Sequence, residues 1–329
     1  MLRGLKRLNR YEKRLIEIAK KGGSLVRISQ FGFSSKTEQG FRFPIYSLEI
    51  GKEKAVRKNP AGLIAGVHGL ETIGIRVLLD FLEFVLEDGA SPILKDLKKG
   101  EFGIVCIPIL NPGGVAMKRR SNPRGVDLMR NSGLKAEEAP FFFGGQSFSS
   151  KLPYYQGKTL EAESRVLYRF AKEYFFQPDK SIIPVLDIHS GFGMTDHIWW
   201  PYAKSQEKCP DDALYMKLAQ YLKEEKNHQS YKFGPQSETY TINGDLWDRL
   251  YEKYRKEKAD VDQNWKARFL PVTLEIGTWS DITGDPLKIF RKRGIFNPSR
   301  DNKHDIIMKH RHFLSDLVRL ASSRLKDWV

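Results

Sequence analysis

Two histidines and two glutamates stand where apolar runs of this chain stop. Residues 61–67 (AGLIAGV) read as a buried strand, and His68-Gly69-Leu70-Glu71 follows at once. After it, residues 72–88 carry apolar side chains at helical spacing. A second apolar run, 182–188, leads into His189-Ser190-Gly191, and a third, 270–274, leads into Glu275. Open α/β sheets gather their ligands at the carboxyl ends of strands, so these four residues are expected on one rim. Neutral imidazole and carboxylate both ligate zinc, and a catalytic zinc takes three protein ligands and leaves one position open. Two histidines with one carboxylate supply that set, and the spare glutamate suits a general base acting on water beside the metal. His-x-x-Glu alone occurs in surface turns by chance. Four such residues at equivalent strand ends are hard to explain as packing.

The elements that must position them follow from periodicity. Residues 8–21 read as a basic amphipathic helix, 24–30 and 43–50 as strands joined by a Gly-containing loop, and 103–110 as a further strand. Residues 111–158 have no strong period and are rich in Gly, Pro, Ser and Arg; loops of that length inside a domain are usually functional. Helices are expected at 160–175, 211–226, 245–258 and 303–325. Strands alternating with helices predict an α/β fold: a mixed, mainly parallel twisted sheet with helices on both faces. No repeat, low-complexity tract or linker marks a boundary, so one catalytic domain over 1–329 is expected, with a basic helix in 1–23 and a C-terminal helix in 303–329.

Composition narrows the classes. Two cysteines, Cys106 in an apolar run and Cys209 in a polar loop, imply neither a disulfide framework nor a Cys-rich metal site. No run reaches membrane-span length, and the basic amino terminus lacks an apolar core of signal-peptide length, so a cytoplasmic protein is expected. The net charge of +15 is spread along the chain without a nucleic-acid recognition motif. It reads first as a solvated surface and second as a field that steers an acidic substrate. His304, His310 and His312, in a basic context, are expected at the surface, and Trp199-Trp200 in sheet packing.

Several ordered motifs resemble the zinc carboxypeptidases of the carboxypeptidase A type, and among them the compact bacterial branch that includes murein-peptide amidases. His68-Gly-Leu-Glu71 is similar to the first two zinc ligands and Asn111-Pro-Gly-Gly114 to the Asn-Pro-Asp-Gly turn. The segment 120–131 (RSNPRGVDLMRN) resembles the family's Arg…Gly-Val-Asp-Leu-Asn-Arg-Asn stretch. Tyr155-Gln-Gly157 with Glu161 and Glu163 resembles the opening of the next helix, Ile188-His189-Ser190 the third ligand, and Thr273-Leu274-Glu275 the catalytic glutamate. The resemblance implies one zinc per chain on His68, Glu71 and His189, with Glu275 as proton carrier and Arg120 on the scissile carbonyl's oxygen. It further implies Arg130 and Asn131 at the substrate, Arg130 on the terminal carboxylate, and Asp127 orienting His68.

Met129 stands where the family has Asn, which removes a hydrogen-bond donor beside Arg130, and Gly113 replaces the Asp of the turn. Tyr251 is the expected substrate-facing phenol, with Tyr240 and Tyr254 as rivals. The basic segment 251–258 (YEKYRKEK) is expected to line the pocket for the terminal side chain, which implies a preference for acidic terminal residues or a murein peptide. The resemblance thus implies hydrolysis of a peptide or amide bond near a peptide's C-terminus. Two alternatives are a zinc amide deacylase of the aspartoacylase and succinylglutamate-desuccinylase type, and a non-catalytic binder of acidic polymers or nucleic acid.

Overall fold

The apolar runs of the sequence become neighbouring strands of one eight-stranded sheet in the computed structural model, which describes residues 2–87, 91–176, 182–261, 266–279, 295–299 and 302–323. In chain order the strands are β1 (Val26–Phe33), β2 (Pro44–Ile50), β3 (Pro60–Ala65), β4 (Gly103–Ile107), β5 (Ile182–Ser190), β6 (His197–Trp200), β7 (Lys232–Pro235) and β8 (Arg268–Ile276). They lie side by side as β1-β2-β4-β3-β5-β8-β6-β7. The four central strands β4, β3, β5 and β8 run parallel, β1, β2 and β4 pair antiparallel, and β6 pairs antiparallel with β8 and parallel with β7.

Every residue of β3, β4 and β5 is buried. Near-continuous apolar strands are what a parallel sheet covered on both faces requires. The cover comes from α1 (Leu2–Gly22), α2 (Glu53–Lys58), α3 (Thr72–Val85), α4 (Pro92–Lys99), α5 (Pro112–Met117), α6 (Ala162–Tyr174), α7 (Asp212–Gln220), α8 (Leu246–Val261) and α9 (Lys303–Arg319). The basic helix α1 buries Leu8, Tyr11, Leu15 and Ile18, spaced three or four apart on one face, and packs on α5 and β1. Helix α9 lies on α3 and continues into a 3-10 turn at Leu320–Ser322; the rest of the expected C-terminal helix, beyond 323, falls outside the described residues.

Three expectations change. Strands β6 and β7, four residues each, interrupt the stretch between 189 and 211 and the one after α7; Trp199 and Trp200 lie in β6, buried as expected. The long stretch 111–158 contains α5 and a 3-10 turn at Leu128–Arg130. His310 is not at the surface: it is fully buried, its Nδ1 lies 2.8 Å from Tyr231 Oη, and Lys309 beside it pairs with Asp196 at 2.6 Å. His228 and Tyr231, just before β7, pack on Phe313 of α9, a contact that a helical wheel drawn for basic residues does not reveal.

Candidate active site

Strand register brings the candidate residues together. His189 and Glu275 are direct partners across β5 and β8, at the carboxyl ends of both strands, while His68 and Glu71 follow the end of the adjacent β3. The turn carrying His68 and Glu71 is held by its neighbour. Asn111 caps α5 by accepting from Gly114 N at 2.8 Å, and its Nδ2 donates to Val67 O at 3.1 Å. Gly69 and Gly114 then touch so closely that a Cβ on Gly69 would lie 2.1 Å from the Gly114 carbonyl carbon. The Gly113 that replaces Asp has a similar cause, since a Cβ there would sit 2.3 Å from Pro123 Cγ.

His68, Glu71 and His189 are buried, and each offers a ligand atom within 4.8 Å of the others. Burial drives the pKa of His68 down to about 3, with Arg120 adding to the effect, so the imidazole is neutral and can ligate. Burial alone would raise Glu71, but the bond to His189 and the charge of Arg120 outweigh it and hold the group near 2, as a carboxylate. Its Oε1 accepts from Arg120 Nη1 at 2.7 Å, and Oε2 lies 3.1 Å from His189 Nδ1. His189 Nε2 lies 2.8 Å from Asp187 Oδ2, which also accepts from Trp247 Nε1 at 2.8 Å. That leaves Nδ1 as the ligating nitrogen, with ring orientation fixed by a carboxylate, as metal-bound histidines commonly have it. His68 Nδ1 is buried 3.8 Å from Asp127 Oδ1 and has no hydrogen-bond partner among the described residues. A buried ring nitrogen without a partner is costly unless something else binds there. Two imidazoles, one of them with this orphaned nitrogen, and one carboxylate fit a zinc ion.

Glu275 completes the rim. Its Oε1 accepts from Phe192 N at 2.9 Å, and burial, reinforced by Glu71, pushes its pKa up to about 8. Arg120 is pinned between Glu71 and Asp127, donating Nε to Asp127 Oδ2 at 3.0 Å. Asp127 thus orients Arg120 by a direct bond and stands off from His68 at the longer distance. Arg130 is 4% exposed, and its bonds go to main-chain carbonyls, Phe143 O at 2.9 Å and Met129 O at 3.3 Å. It faces the same cavity as His68, His189 and Glu275 without a carboxylate partner among the described residues.

Two expected substrate contacts are corrected. Asn131 is committed to the chain itself: Nδ2 donates to Gln156 O and Thr159 O at 2.8 and 2.9 Å, and Oδ1 accepts from Glu161 N and Ser164 Oγ. It anchors the long loop and does not reach the cavity. Tyr251 is fully buried on α8 and its hydroxyl donates to Asp211 Oδ2 at 2.6 Å, away from the cavity; Tyr240 lines the cavity instead. The basic segment 251–258 also points elsewhere. Lys253 lies over the Tyr168 ring, Arg255 pairs with Asp211 at 3.2 Å, and Lys258 donates to Ala267 O. The cavity floor carries Asp245 and Asp248, with Trp199, Trp200 and Thr273 in the walls.

Some contributors escaped the sequence reading. Asp187 lies two residues before His189, hence on the same face of β5, a relation that strand alternation could have exposed. Tyr154, whose ring lies 5.5 Å from the Arg120 guanidinium and 5.7 Å from that of Arg130, has no such signal.

The fold and the site together place a His-Glu-His group that could hold a metal ion at the rim of a mixed α/β sheet. The chain belongs to the zinc carboxypeptidase family, whose model matches residues 11–278. Carboxypeptidase SOL1 of Arabidopsis thaliana is 23% identical over 247 residues, which cover 73% of this chain and 44% of that protein, so the chain spans less than half the length of this relative. Bovine thrombin-activatable fibrinolysis inhibitor, solved with a tick carboxypeptidase inhibitor, shares the fold at a TM-score of 0.70 and 18% identity, with 97% of each chain covered. Carboxypeptidase A of Helicoverpa armigera matches at a TM-score of 0.66 and 19% identity, over 94% of this chain and 71% of that one. Among the described residues no helix is long and apolar enough to cross a membrane.

Proposed function

We propose that this chain is a metallocarboxypeptidase that removes the last residue of a peptide, with one zinc held by His68, Glu71 and His189. One observation carries the reading: the two histidines of a buried His-Glu-His cluster, the carboxyl group of Glu275 and the buried guanidinium of Arg130, which has no carboxylate partner among the described residues, all face one cavity. Zinc, when bound, supplies Lewis acidity that polarises a carbonyl and makes water nucleophilic at neutral pH. Glu275, its ionised form favoured by the neighbouring cation against the burial that raises its pKa, would then take the proton of the attacking water and pass it to the departing amine. Arg120, kept in place by Asp127, offers its guanidinium to the oxygen that gains charge. Arg130 takes the terminal carboxylate, whose two oxygens match a guanidinium fork. The family match favours this over the amide deacylase and the non-catalytic binder.

For the terminal side chain, the cavity supports a cation in place of the acidic residue expected from the sequence. Asp248 accepts main-chain N–H bonds from Ala203 and Lys204, Asp245 accepts from Asp248 N, and neither has a cationic partner within bonding distance among the described residues. Burial pushes Asp245 up to about 6 and Asp248 well above the usual carboxylate range, a cost that an entering ammonium or guanidinium would offset. The test compares peptides ending in Lys, Glu or Phe, each as free acid and as C-terminal amide, by mass spectrometry. Release from the free acids with Lys preferred is expected. Equal cleavage of the amides would remove Arg130 from its role, and a preference for Glu would overturn the reading of the cavity floor.

A further inference from the structure

A second cavity, about 1000 Å³ in volume, opens on the other side of Arg120. Arg120 and Asp127 form its inner end, next to Leu70 of the ligand turn. Arg120 lines both this cavity and the one that holds His68, His189, Glu275 and Arg130, so the two adjoin at its guanidinium. With the terminal carboxylate on Arg130, this cleft beside Arg120 offers a path for the chain on the amino side of the scissile bond. This step rests on the carboxypeptidase reading above.

The cleft is strongly basic. Lys36, Arg42, Lys118, Arg119 and Lys151 line it, and none of them has a carboxylate partner among the described residues. They come from three separate segments, the loop after β1, the turn after α5 and the long loop before α6, so no single charge run accounts for them. Against them stand Glu38 and Asp127, and Asp127 is already bound by Arg120. Like charges crowded into one concavity repel one another, and the field is focused where the walls exclude water.

We propose that this cleft binds an acidic stretch of the substrate peptide, upstream of the scissile bond. Glutamates or aspartates there would meet unpaired ammonium and guanidinium groups, and the +15 charge of the chain would raise their rate of encounter. Selection thus comes from two places: the cavity beyond Arg130 reads the last residue, and the cleft reads the charge of those before it.

The test uses the Glu275→Gln protein as a non-turning binder and two fluorescein-labelled peptides with one common C-terminal residue, one with a glutamate run upstream and one with a serine run. Fluorescence anisotropy should show the acidic peptide bound about tenfold tighter or more at low salt, as several weak exposed pairs would give together. That margin should fade near 0.5 M NaCl, where the Debye length is only about 4 Å. Lys36→Gln, Arg42→Gln and Lys151→Gln combined should remove the margin while leaving the affinity for the serine peptide unchanged. Equal affinity for the two peptides, or a margin that survives the triple substitution, would overturn the proposal. So would an oligonucleotide of matched charge that binds tighter than the acidic peptide and loses affinity in the same variant, since it would assign the cleft to nucleic acid. Release assays on wild-type protein separate the two readings: absence of any C-terminal release with salt-sensitive acidic binding intact would sink the peptidase reading and leave the cleft standing.

Discussion

The chemistry of this site rests on a few side chains whose protonation is set by what lies against them. His68 is kept neutral by burial, Glu71 is kept ionised by its cationic neighbours, and Glu275 is a buried carboxyl with its pKa pushed up to about 8. Replacing Glu275 with Gln keeps shape and removes the proton acceptor, so turnover should fall by about 10²–10⁴-fold with zinc content unchanged. Near-normal turnover at full zinc occupancy would take Glu275 out of the mechanism. The two tyrosines should separate in a complementary way. Tyr251→Phe loses a buried bond to Asp211 and should lower stability by about 1 kcal/mol, seen in the denaturant midpoint, with kinetics unaltered. Tyr240→Phe should leave stability alone and change KM or kcat, because Tyr240 lines the cavity. The reverse pattern would restore Tyr251 to the site. The ligand candidates were legible because strand ends announce themselves in an apolar sequence. The tyrosine was not: Tyr251 and Tyr254 fall at helical spacing and face the core, while Tyr240 sits in a stretch with no period at all.

At the scale of elements, the site depends on loops being tied to the sheet. The long loop before α6 is fastened by Asn131 and by a buried polar knot in which Ser35 Oγ lies 2.7 Å from both Glu161 Oε2 and Glu163 Oε2. A single hydroxyl proton cannot serve two carboxylates. Burial raises the pKa of Glu163 above the usual glutamate range, and its bonds to Ser35 and Asn122 recover only part of that shift. A raised folded-state pKa means that ionised Glu163 costs stability. That cost is absent at low pH, where the group is protonated whether folded or unfolded, and grows as pH climbs through the ordinary glutamate range toward the raised value. Glu163→Gln, which can donate to Ser35 Oγ and still accept from Ser35 N, should therefore be more stable than the parent at pH 7 and equal to it near pH 3. Urea titrations at both pH values check this, and a loss of stability at pH 7 would show the charge to be favourable. Glu161 and Glu163 were visible as a motif, but their role as a knot emerges only once the loop after β1 arrives beside them. Short elements were illegible for a simpler reason: four residues of β6 or β7, or six of α2, are too few to display a period.

For the whole molecule, the central strands were readable because parallel strands buried on both faces leave long apolar runs, and because α3 and α6 carry clear apolar faces between them. The crossing of β8 between β5 and β6 was not, since sheet order depends on contacts far apart in sequence. We further propose that the chain is one folding unit, because one sheet and one apolar cluster run from α1 to the turn after α9. Thermal unfolding should then be a single cooperative transition, and removing zinc with a chelator should lower its midpoint, as any ligand bound only by the folded state requires. Two separate transitions would divide the chain. The central claim, that His68, Glu71 and His189 hold the zinc that makes this chain a carboxypeptidase, is tested most directly on one sample by measuring bound zinc and residue release together. The protein is stripped by chelation, zinc is returned in steps, and each step is assayed by elemental analysis and by mass spectrometry of a peptide with a free C-terminus. Release should follow occupancy up to one zinc per chain, and His189→Ala should recover neither. Full release by the stripped protein, or tight stoichiometric zinc in His189→Ala, would contradict the claim.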